Sequence, residues 1–319
     1  MKIVVIGGAG FIGSNVVDEL ISNNHEVCVI DNLSTGTIDN LNDKAKFYKY
    51  DITNVDVLNL IFQIEKPEAV YHFAAQIDVQ TSLKKPVFDA NINILGTINV
   101  LECCRKYKVK KIIYPSSAAV YGNPKYLPVD EKHSIEPISF YGISKHTPEH
   151  YIKTFCSLYG IKYTIFRYSN VYGIRQNPKG EGGVVSIFID KFLNNKSPLI
   201  FGDGEQTRDF IYVKDIAKAN LIALNCGDNE IVNISTNVPI TVNKLYETIK
   251  RIFNSDVKAI HKEARQGDIL YSYLDTRLAK EILGWEFEYY LECGINETID
   301  YYKDLYNSKN KEVITRKKK

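Results

Sequence analysis

A glycine-rich turn directly after a short apolar strand constrains this chain more than any other feature. Residues 2–6 are predicted to form a buried strand, and Gly7-Gly8-Ala9-Gly10-Phe11-Ile12-Gly13 follows it. The spacing is G-x-x-G-x-x-G from Gly7 and G-x-G-x-x-G from Gly8. Such glycines permit a tight turn, close approach of the backbone to a diphosphate and close packing of helix on strand. A helix predicted over 11–22 would offer its free amides to the pyrophosphate. The motif therefore predicts a dinucleotide site.

Short apolar runs alternate with helical stretches through the first half of the chain. Strands are predicted at residues 2–6, 26–30, 46–50, 69–73, 111–114 and 163–168, and Pro115 is expected to end the fifth of them. Helices are predicted at residues 11–22, 90–107 and 143–158, and in the less regular second half at 184–194, 245–253 and 276–283. Strands that are apolar throughout and alternate with helices indicate a parallel sheet covered on both faces. The predicted fold class is α/β, a Rossmann-like doubly wound parallel sheet with a smaller mixed C-terminal substrate domain.

The domain boundaries are predicted from the same patterns. Residues 1–173, with 209–238 returning to the sheet, are expected to form the dinucleotide-binding domain. Residues 174–208 and 239–305 are expected to form the substrate domain over the carboxyl ends of the strands, where open α/β sheets bind ligands. Residues 306–319 are expected to be a charged tail.

Composition and charge exclude several classes of protein. The formal net charge is +2, which is too balanced to favour nucleic acid or an anionic membrane surface as a partner. No apolar stretch approaches the ~18 residues that a membrane-spanning helix needs. The six cysteines form no C-x-x-C pair and have no neighbouring histidine pattern, so we expect reduced thiols, no metal site and a cytoplasmic location.

Acidic residues after the second and third strands predict which dinucleotide binds. Asp31 ends the second strand, eighteen residues after Gly13. A carboxylate there can accept hydrogen bonds from both ribose hydroxyls of NAD and would repel the 2′-phosphate of NADP, which favours NAD. Asp51 and Ile52 follow the third strand and are predicted to flank the adenine. The alternatives are a turn residue for Asp31 and a helix cap for Asp51.

A tyrosine, a lysine and a serine form the candidate catalytic set. Tyr141 and Lys145 stand four residues apart on a predicted helix, so they share one face. An ammonium one turn from a phenol favours the phenolate and brings the tyrosine toward acid–base use near neutrality. Ser117 lies directly after a strand and is placed to hydrogen-bond a substrate hydroxyl whose proton the tyrosine takes. Its alternative role is that of a turn residue.

Taken in order, these motifs resemble the extended short-chain dehydrogenase/reductases, the NAD-dependent epimerase/dehydratase group, and within it the UDP-glucose 4-epimerases. Further matching segments are His72-Phe73-Ala74-Ala75-Gln76, Asn93-Ile94-Leu95-Gly96-Thr97, Arg167-Tyr168-Ser169-Asn170-Val171-Tyr172-Gly173, Gly202-Asp203-Gly204, Arg208-Asp209-Phe210-Ile211-Tyr212-Val213, Arg265-Gln266-Gly267-Asp268 and Leu283-Gly284-Trp285. The resemblance covers about residues 1–300. It implies an enzyme that binds NAD and a UDP-sugar and works as a homodimer, with the helices at 90–107 and 143–158 pairing across the two subunits.

The resemblance also assigns roles residue by residue. Ser117, Tyr141 and Lys145 would be catalytic. Cofactor-binding residues would be Gly7, Gly10, Phe11, Ile12, Gly13, Asp31, Asn32, Ser34, Gly36, Asp51, Ile52, Phe73, Ala74, Ala75, Gln76, Asn93, Ser116, Tyr141, Lys145, Tyr168 and Ser169. Substrate-binding residues would be Ser117, Tyr141, Asn170, Val184, Arg208, Arg265, Asp268 and Ser272. The two arginines would clamp the diphosphate through forked donors, with surface ion pairs as their alternative.

The residues after Ser117 favour one reaction within this family. Relatives that dehydrate or decarboxylate sugar nucleotides usually carry an acid there, whereas this chain has Ala118 and Ala119. A hydride transfer and a hydroxyl proton transfer suffice for 4-epimerisation through a 4-keto sugar. The alternatives are a UDP-glucuronate 4-epimerase or another NAD-dependent sugar-nucleotide enzyme. A non-enzymatic NAD-sensing protein is disfavoured because the Tyr141 and Lys145 pair is kept.

The sugar preference depends on one position. In some epimerases of this group a large aromatic residue, seven residues after the conserved arginine, narrows the pocket. Counting from Arg265 gives Ser272, which leaves room for an N-acetyl group. We therefore expect UDP-GlcNAc and UDP-GalNAc to be substrates beside UDP-glucose and UDP-galactose. Tyr271 and Tyr273 flank this position, so a one-residue shift in register would reverse the expectation.

Overall fold

The fold is built on a seven-stranded parallel sheet. In this computed structural model the chain is described at residues 1–178, 183–265 and 269–316, with side chains through residue 307. The strands are β1 Lys2–Ile6, β2 Glu26–Asp31, β3 Lys46–Lys49, β4 Ala69–His72, β5 Lys111–Ser117, β6 Lys162–Tyr168 and β10 Glu230–Ile234. Their order is β10-β6-β5-β4-β1-β2-β3. β1 therefore lies between β2 and β4, and the order reverses there, at the crevice where such sheets bind dinucleotides.

Helices cover both faces of this sheet, as the apolar strands predict. The helices are α1 Phe11–Ser22, α2 Val55–Glu65, α3 Val79–Lys84, α4 Pro86–Ala90, α5 Gly96–Lys106, α6 Phe140–Tyr159, α7 Val184–Leu193, α8 Val213–Ile222, α9 Val242–Phe253, α10 Arg277–Leu283 and α11 Leu291–Arg316. Ile3 and Val5 of β1 pack into the core beneath α1 and α8. Val4 and Ile6 pack into the opposite core beneath α2, α5 and α6. Alternate residues of one strand thus enter two cores, which confirms the doubly wound fold class.

Two small sheets and a third core make up the rest of the molecule. β7 Asn170–Tyr172 pairs parallel with β9 Thr207–Tyr212, and β11 Pro239–Thr241 pairs antiparallel with β9. β8 Leu199–Phe201 pairs with β12 Ile260–Lys262. The third core packs α7, α9 and α11 around β9. This mixed sheet with its helices fits the smaller, mixed C-terminal domain of the predicted fold class.

The structure corrects several predicted boundaries. β5 runs through Pro115 to Ser117, so the expectation that Pro115 ends this strand was wrong. Pairing between β4 and β5 ends at Tyr71 and Ile113, and β5 pairs beyond it with β6 alone. A proline there removes no bond from the β4 ladder. α11 continues helically to Arg316, across the boundary predicted for the charged tail.

Two predicted helices are also built differently. The helix predicted at 90–107 consists of α4, a π-helical segment Asn91–Leu95, and α5. α6 begins at Phe140 rather than 143, because the Ser139 side chain caps it by accepting a hydrogen bond from the Gly142 amide.

Candidate active site

The glycine turn packs against the segment that follows β4. Gly7 has a φ of +81°, and a Cβ on it would lie 2.5 Å from the Ala74 nitrogen. The Gly7 amide donates to the Ile30 carbonyl at 2.7 Å. α1 then begins after Gly10, which has no side chain to cap the helix. The turn therefore presents backbone amides at a helix N-terminus, the arrangement that binds phosphate.

Asp31 connects the end of β2 to this turn. Its carboxylate accepts hydrogen bonds from the Ala9 amide at 3.0 Å and the Leu33 amide at 2.7 Å. Burial raises the pKa of Asp31, and the two amide hydrogen bonds oppose the shift. A carboxylate at the carboxyl end of β2, beside the glycine turn, fits the ribose of NAD, as the spacing predicts.

The other residues predicted around the adenosine half lie on neighbouring loops. Asn32 donates to the Asp51 carboxylate at 2.7 Å, and the Ser34 amide donates to the Asn32 side chain at 2.9 Å. A Cβ on Gly36 would lie 2.8 Å from the Ala9 carbonyl, so this loop closes over the glycine turn. Asp51 also accepts from the Thr53 amide and hydroxyl within its own turn, whereas the residue that caps α2 is Asn54, so Asp51 is not the helix cap.

The loop after β4 is joined to α6 through Asn93. Phe73 and Ala74 both donate their amides to the Ile6 carbonyl. Asn93 accepts from the Gln76 amide at 2.8 Å and donates both to the Gln76 carbonyl and to the Ser144 hydroxyl, at 2.9 Å each. Asn93 lies in the π-helical segment, and such insertions are frequent at functional sites. The predicted loop Phe73, Ala74, Ala75 and Gln76 therefore has a fixed position relative to α6.

Sequence reasoning missed two side chains of this network. Gln76 donates to the buried Asp89 carboxylate at 2.7 Å, and Ser144 donates to the Tyr141 carbonyl. Asp89 belongs to α4 and is part of no motif in the sequence, so no local pattern indicated its role. Ser144 could have been noticed from its place directly before Lys145.

The predicted catalytic residues lie at the carboxyl end of β5 and on the first turns of α6. Ser117 is the last residue of β5, and its hydroxyl accepts from the Ala119 amide at 3.1 Å. Tyr141 and Lys145 share one face of α6, and the Tyr141 amide donates to the Ser82 hydroxyl at 3.1 Å. β5 is the neighbour of β4 in the sheet, and the bond to Ser82 of α3 ties the start of α6 to the segment that follows β4.

Lys145 is a buried member of this set, and burial changes its pKa. It is 4% exposed, and its ammonium lies 4.4 Å from the centre of the Tyr114 ring. Burial lowers the pKa of Lys145 to about 7, while the carboxylates of Glu149 and Asp89 oppose that change. The amine can therefore change charge near neutrality, as acid–base machinery requires. Burial, assisted by Lys145, also lowers the pKa of His72 to about 3, so this imidazole is neutral.

Two residues predicted to bind the cofactor make their side-chain hydrogen bonds within the protein core. The Ser116 hydroxyl donates to the Glu149 carboxylate at 2.5 Å. The Tyr168 hydroxyl accepts from Asn220 of α8 at 2.7 Å. Both residues are buried, and these hydrogen bonds direct their hydroxyls toward other protein groups.

The predicted substrate residues come from several elements of the smaller part of the fold. Asn170 begins β7, Val184 begins α7, and Arg208 lies on β9, where it donates to the Ile269 carbonyl at 2.7 Å. Ser169 donates to Asp209 at 3.5 Å.

Arg265 and Ser272 lie on the chain after β12. The Arg265 guanidinium stacks on the Phe201 ring at 4.0 Å from its centre. Ser272 is half-buried between the bridges that Tyr271 makes to Thr207 and Leu274 makes to Val129. Asp268 lies outside the described residues.

Within the described ranges, no group of three or more His, Cys, Asp or Glu side chains is arranged to hold a metal ion. Among the same residues, no helix is long and apolar enough to cross a membrane.

Comparison with known proteins agrees with this geometry. The sequence profile of the NAD dependent epimerase/dehydratase family matches residues 3–235. The chain belongs to this family. A protein of Methanocaldococcus jannaschii assigned as a UDP-glucose 4-epimerase is 54% identical over 303 residues, which cover 95% of this chain and 98% of that protein.

Solved structures extend the likeness to the whole fold. The UDP-glucose 4-epimerase of Thermotoga maritima, solved with UDP-glucose, is 46% identical, with a TM-score of 0.94 over 96% of this chain and all of that one. The UDP-N-acetylglucosamine 4-epimerase of Methanobrevibacter ruminantium, solved with UDP-N-acetylmuramic acid, is 35% identical, with a TM-score of 0.91 over 95% of this chain and 98% of that one. Both the resemblance and the Rossmann-like fold predicted from the sequence are thereby confirmed.

Proposed function

We propose that this protein is an NAD-dependent UDP-hexose 4-epimerase that interconverts UDP-glucose and UDP-galactose through a 4-keto intermediate. The observation that carries the proposal is the buried Lys145 one turn from Tyr141 on α6, whose Gly142 packs against the Ala119 carbonyl, two residues after Ser117. The two positions directly after Ser117 are Ala118 and Ala119, so neither of them carries an acidic side chain. The relatives named as UDP-glucose 4-epimerases support the same reaction.

The residues of the crevice fit NAD. Gly7, Gly10 and Gly13 would receive the pyrophosphate, and Asp31 the adenosine ribose. A Cβ on Gly13 would lie 2.2 Å from the Gly7 carbonyl, so only glycine permits this turn. Bound NAD would supply reversible acceptance of hydride from the sugar C4 carbon, a chemistry that no side chain of the site has.

The protein's own groups handle the proton and the orientation. Tyr141 would take the proton of the C4 hydroxyl and return it, with Ser117 hydrogen-bonded to the same hydroxyl. The Lys145 charge would stabilise the phenolate of Tyr141. Arg208 and Arg265 would hold the diphosphate, so that the sugar can turn over while the nucleotide stays bound. Holding the nucleotide also keeps the reactive ketone in the site.

We further propose that N-acetylhexosamines are accepted. The proposal is supported by the small side chain of Ser272 seven residues after Arg265 and by the 56% exposure of Tyr271, although Tyr273 is half-buried like Ser272. The likeness to a UDP-N-acetylglucosamine 4-epimerase supports the same preference. Ser272→Tyr should abolish turnover of UDP-GlcNAc and leave UDP-glucose turnover within about 3-fold, because a phenol occupies the room of the N-acetyl group. Parallel loss of both activities would contradict this placement.

A homodimer is the third proposal. The π-helical segment and α6 carry exposed apolar side chains, with Leu95 54%, Ile143 44% and Leu158 69% exposed. Exposed apolar side chains along two helices are a feature of interaction sites, and two helices from each of two copies would cover them. The predicted two-domain boundaries and the cytoplasmic location stay predictions.

Purified protein incubated with UDP-glucose tests the reaction itself. Proton NMR should show UDP-galactose, and Tyr141→Phe should reduce its rate at least 100-fold, because the base is lost. Unchanged turnover in Tyr141→Phe would contradict the assigned role. Absence of UDP-galactose from the wild type, with conversion of UDP-glucuronate, would change the sugar and leave the site chemistry in place.

A further inference from the structure

A buried ion pair lies directly behind the catalytic residues. Glu149 is 1% exposed and Arg167 is 4% exposed. The Arg167 guanidinium donates to both Glu149 oxygens, at 3.0 Å from Nε and 2.6 Å from Nη2. Ser116 donates to the same carboxylate at 2.5 Å. Three charge-assisted hydrogen bonds thus converge on Glu149, which compensates the cost of burying its charge.

The fold explains why these three residues meet. Ser116 of β5 and Arg167 of β6 are direct partners in the parallel ladder, so their side chains project from the same face of the sheet. α6 packs on that face and presents Glu149 to both. The carboxylate therefore ties two central strands and the catalytic helix together. Ser117 follows Ser116 directly, and Lys145 lies one helical turn before Glu149.

The charged and titratable groups around Lys145 come from four elements. Glu149 and Tyr141 lie on α6, and Asp89 on α4. His72 of β4 and Tyr114 of β5 complete the set. Of the two carboxylates that favour the protonated amine of Lys145, Glu149 has the larger effect, whereas burial favours the neutral amine.

We propose that Glu149 is a positioning residue for catalysis, which holds the strand end carrying Ser117 and keeps Lys145 protonated so that Tyr141 can work as a phenolate. The inference rests on the proposed epimerase function. The Glu149 oxygens are bound to Ser116 and Arg167, and the Nε2 atom of His146, also on α6, lies 3.8 Å from Oε2. The effect of Glu149 on Lys145 acts through the charge, and its effect on Ser117 acts through the Ser116 hydrogen bond.

Glu149→Gln tests the charge while conserving the shape of the side chain. Without the carboxylate the ammonium of Lys145 is less favoured, so deprotonation of Tyr141 needs a higher pH. The acid limb of the kcat profile should move up by about one pH unit, the shift that one nearby opposite charge produces. Ser116→Ala, which keeps the charge, should lower kcat without moving that limb. Glu149→Asp should restore the wild-type limb.

A matched control and a second variant guard against a purely structural effect. Glu65 is equally buried, 2% exposed, and accepts hydrogen bonds from Lys46 and Tyr48 at the opposite end of the sheet. Glu65→Gln should destabilise the protein and leave the kcat profile at its wild-type pH. If Glu149→Gln does not fold because Arg167 is left unpaired, the Glu149→Gln/Arg167→Gln protein removes both charges. Its acid limb should move in the same direction, since Glu149, and not Arg167, is among the charges that act on the pKa of Lys145.

A readout independent of turnover separates this inference from the function. The Tyr141 phenolate can be followed by near-ultraviolet difference spectra between each protein and its Tyr141→Phe counterpart. Glu149→Gln should raise the midpoint of this titration by about one pH unit. A wild type that shows the titration but does not convert UDP-glucose would refute the function alone. Identical midpoints and identical kcat profiles in wild type and Glu149→Gln would refute the positioning role.

Discussion

Replacing Gly7 with alanine should separate a steric requirement from a conformational one. At a φ of +81°, an L-residue costs about 1–2 kcal/mol relative to glycine. The added Cβ would also meet backbone atoms, at 2.5 Å from the Ala74 nitrogen and 2.7 Å from the Phe73 carbonyl carbon. These backbone atoms directly follow β4 and are held by hydrogen bonds to the Ile6 carbonyl, so they cannot yield as a flexible side chain can, and overpacking adds about 1–3 kcal/mol. We expect Gly7→Ala to lose about 2–5 kcal/mol of unfolding free energy.

Gly160→Ala is the matched control. Gly160 has a φ of +69°, and a Cβ there would meet nothing within 4 Å. Only the conformational cost of about 1–2 kcal/mol applies. The entropy that alanine removes from the unfolded chain is common to both variants and cancels in the comparison.

Urea unfolding of the two variants measures the difference, and the NAD that remains bound after purification measures the consequence. Gly7→Ala should be less stable than Gly160→Ala by about 1–3 kcal/mol and should lose its NAD, because relief of the clash moves the turn away from the loop after β4. Equal destabilisation, or full retention of NAD by Gly7→Ala, would refute the close approach of these two segments.

Three further predictions test the cofactor preference, the buried amine and the assembly. Asp31→Ser should weaken NAD binding at least 10-fold relative to NADP in calorimetric titrations, because the carboxylate is the group that repels a 2′-phosphate; an unchanged preference would contradict its role. Lys145→Met should abolish turnover yet raise the unfolding free energy, because burial lowers the pKa of Lys145 from 10.5 to about 7. The unfolded chain then binds the extra proton between these values, so the gain should be full at and below pH 7 and disappear toward pH 10.5 in denaturation series, and a gain that grows with pH would refute it. Leu158→Glu should convert a dimer into monomers in light scattering, because a charge replaces a 69% exposed leucine of the proposed interface, whereas the same change at the exposed Leu60 of α2 should not.

The parts of the site that depend on local spacing could be predicted from the sequence. The glycine turn, Asp31 and the Tyr141 and Lys145 pair each follow from a strand end or one helical turn, so their geometry is determined within a few residues. The structure places each of these residues where the local pattern requires it. Their assigned roles remain proposals that the variants above test.

The parts that depend on register between distant segments could not be predicted. Ser116 and Arg167 meet Glu149 only because β5 and β6 align at these residues and α6 packs across them. Nothing near any of the three in the sequence indicates that alignment. Pro115 shows the same limit, because its tolerance inside β5 depends on where β4 stops pairing. The proposed role of Ser272 in sugar binding depends likewise on contacts between separate segments.

Incubation of the purified protein with UDP-glucose and UDP-GlcNAc in one tube, without added cofactor, tests the proposed epimerase most directly. Proton NMR or ion-exchange chromatography resolves the two C4 epimers from their substrates. We predict that UDP-galactose and UDP-GalNAc both appear, because NAD is regenerated in each cycle and stays bound. Failure to form either epimer, even after NAD is added, would contradict the assignment of this protein as a UDP-hexose 4-epimerase.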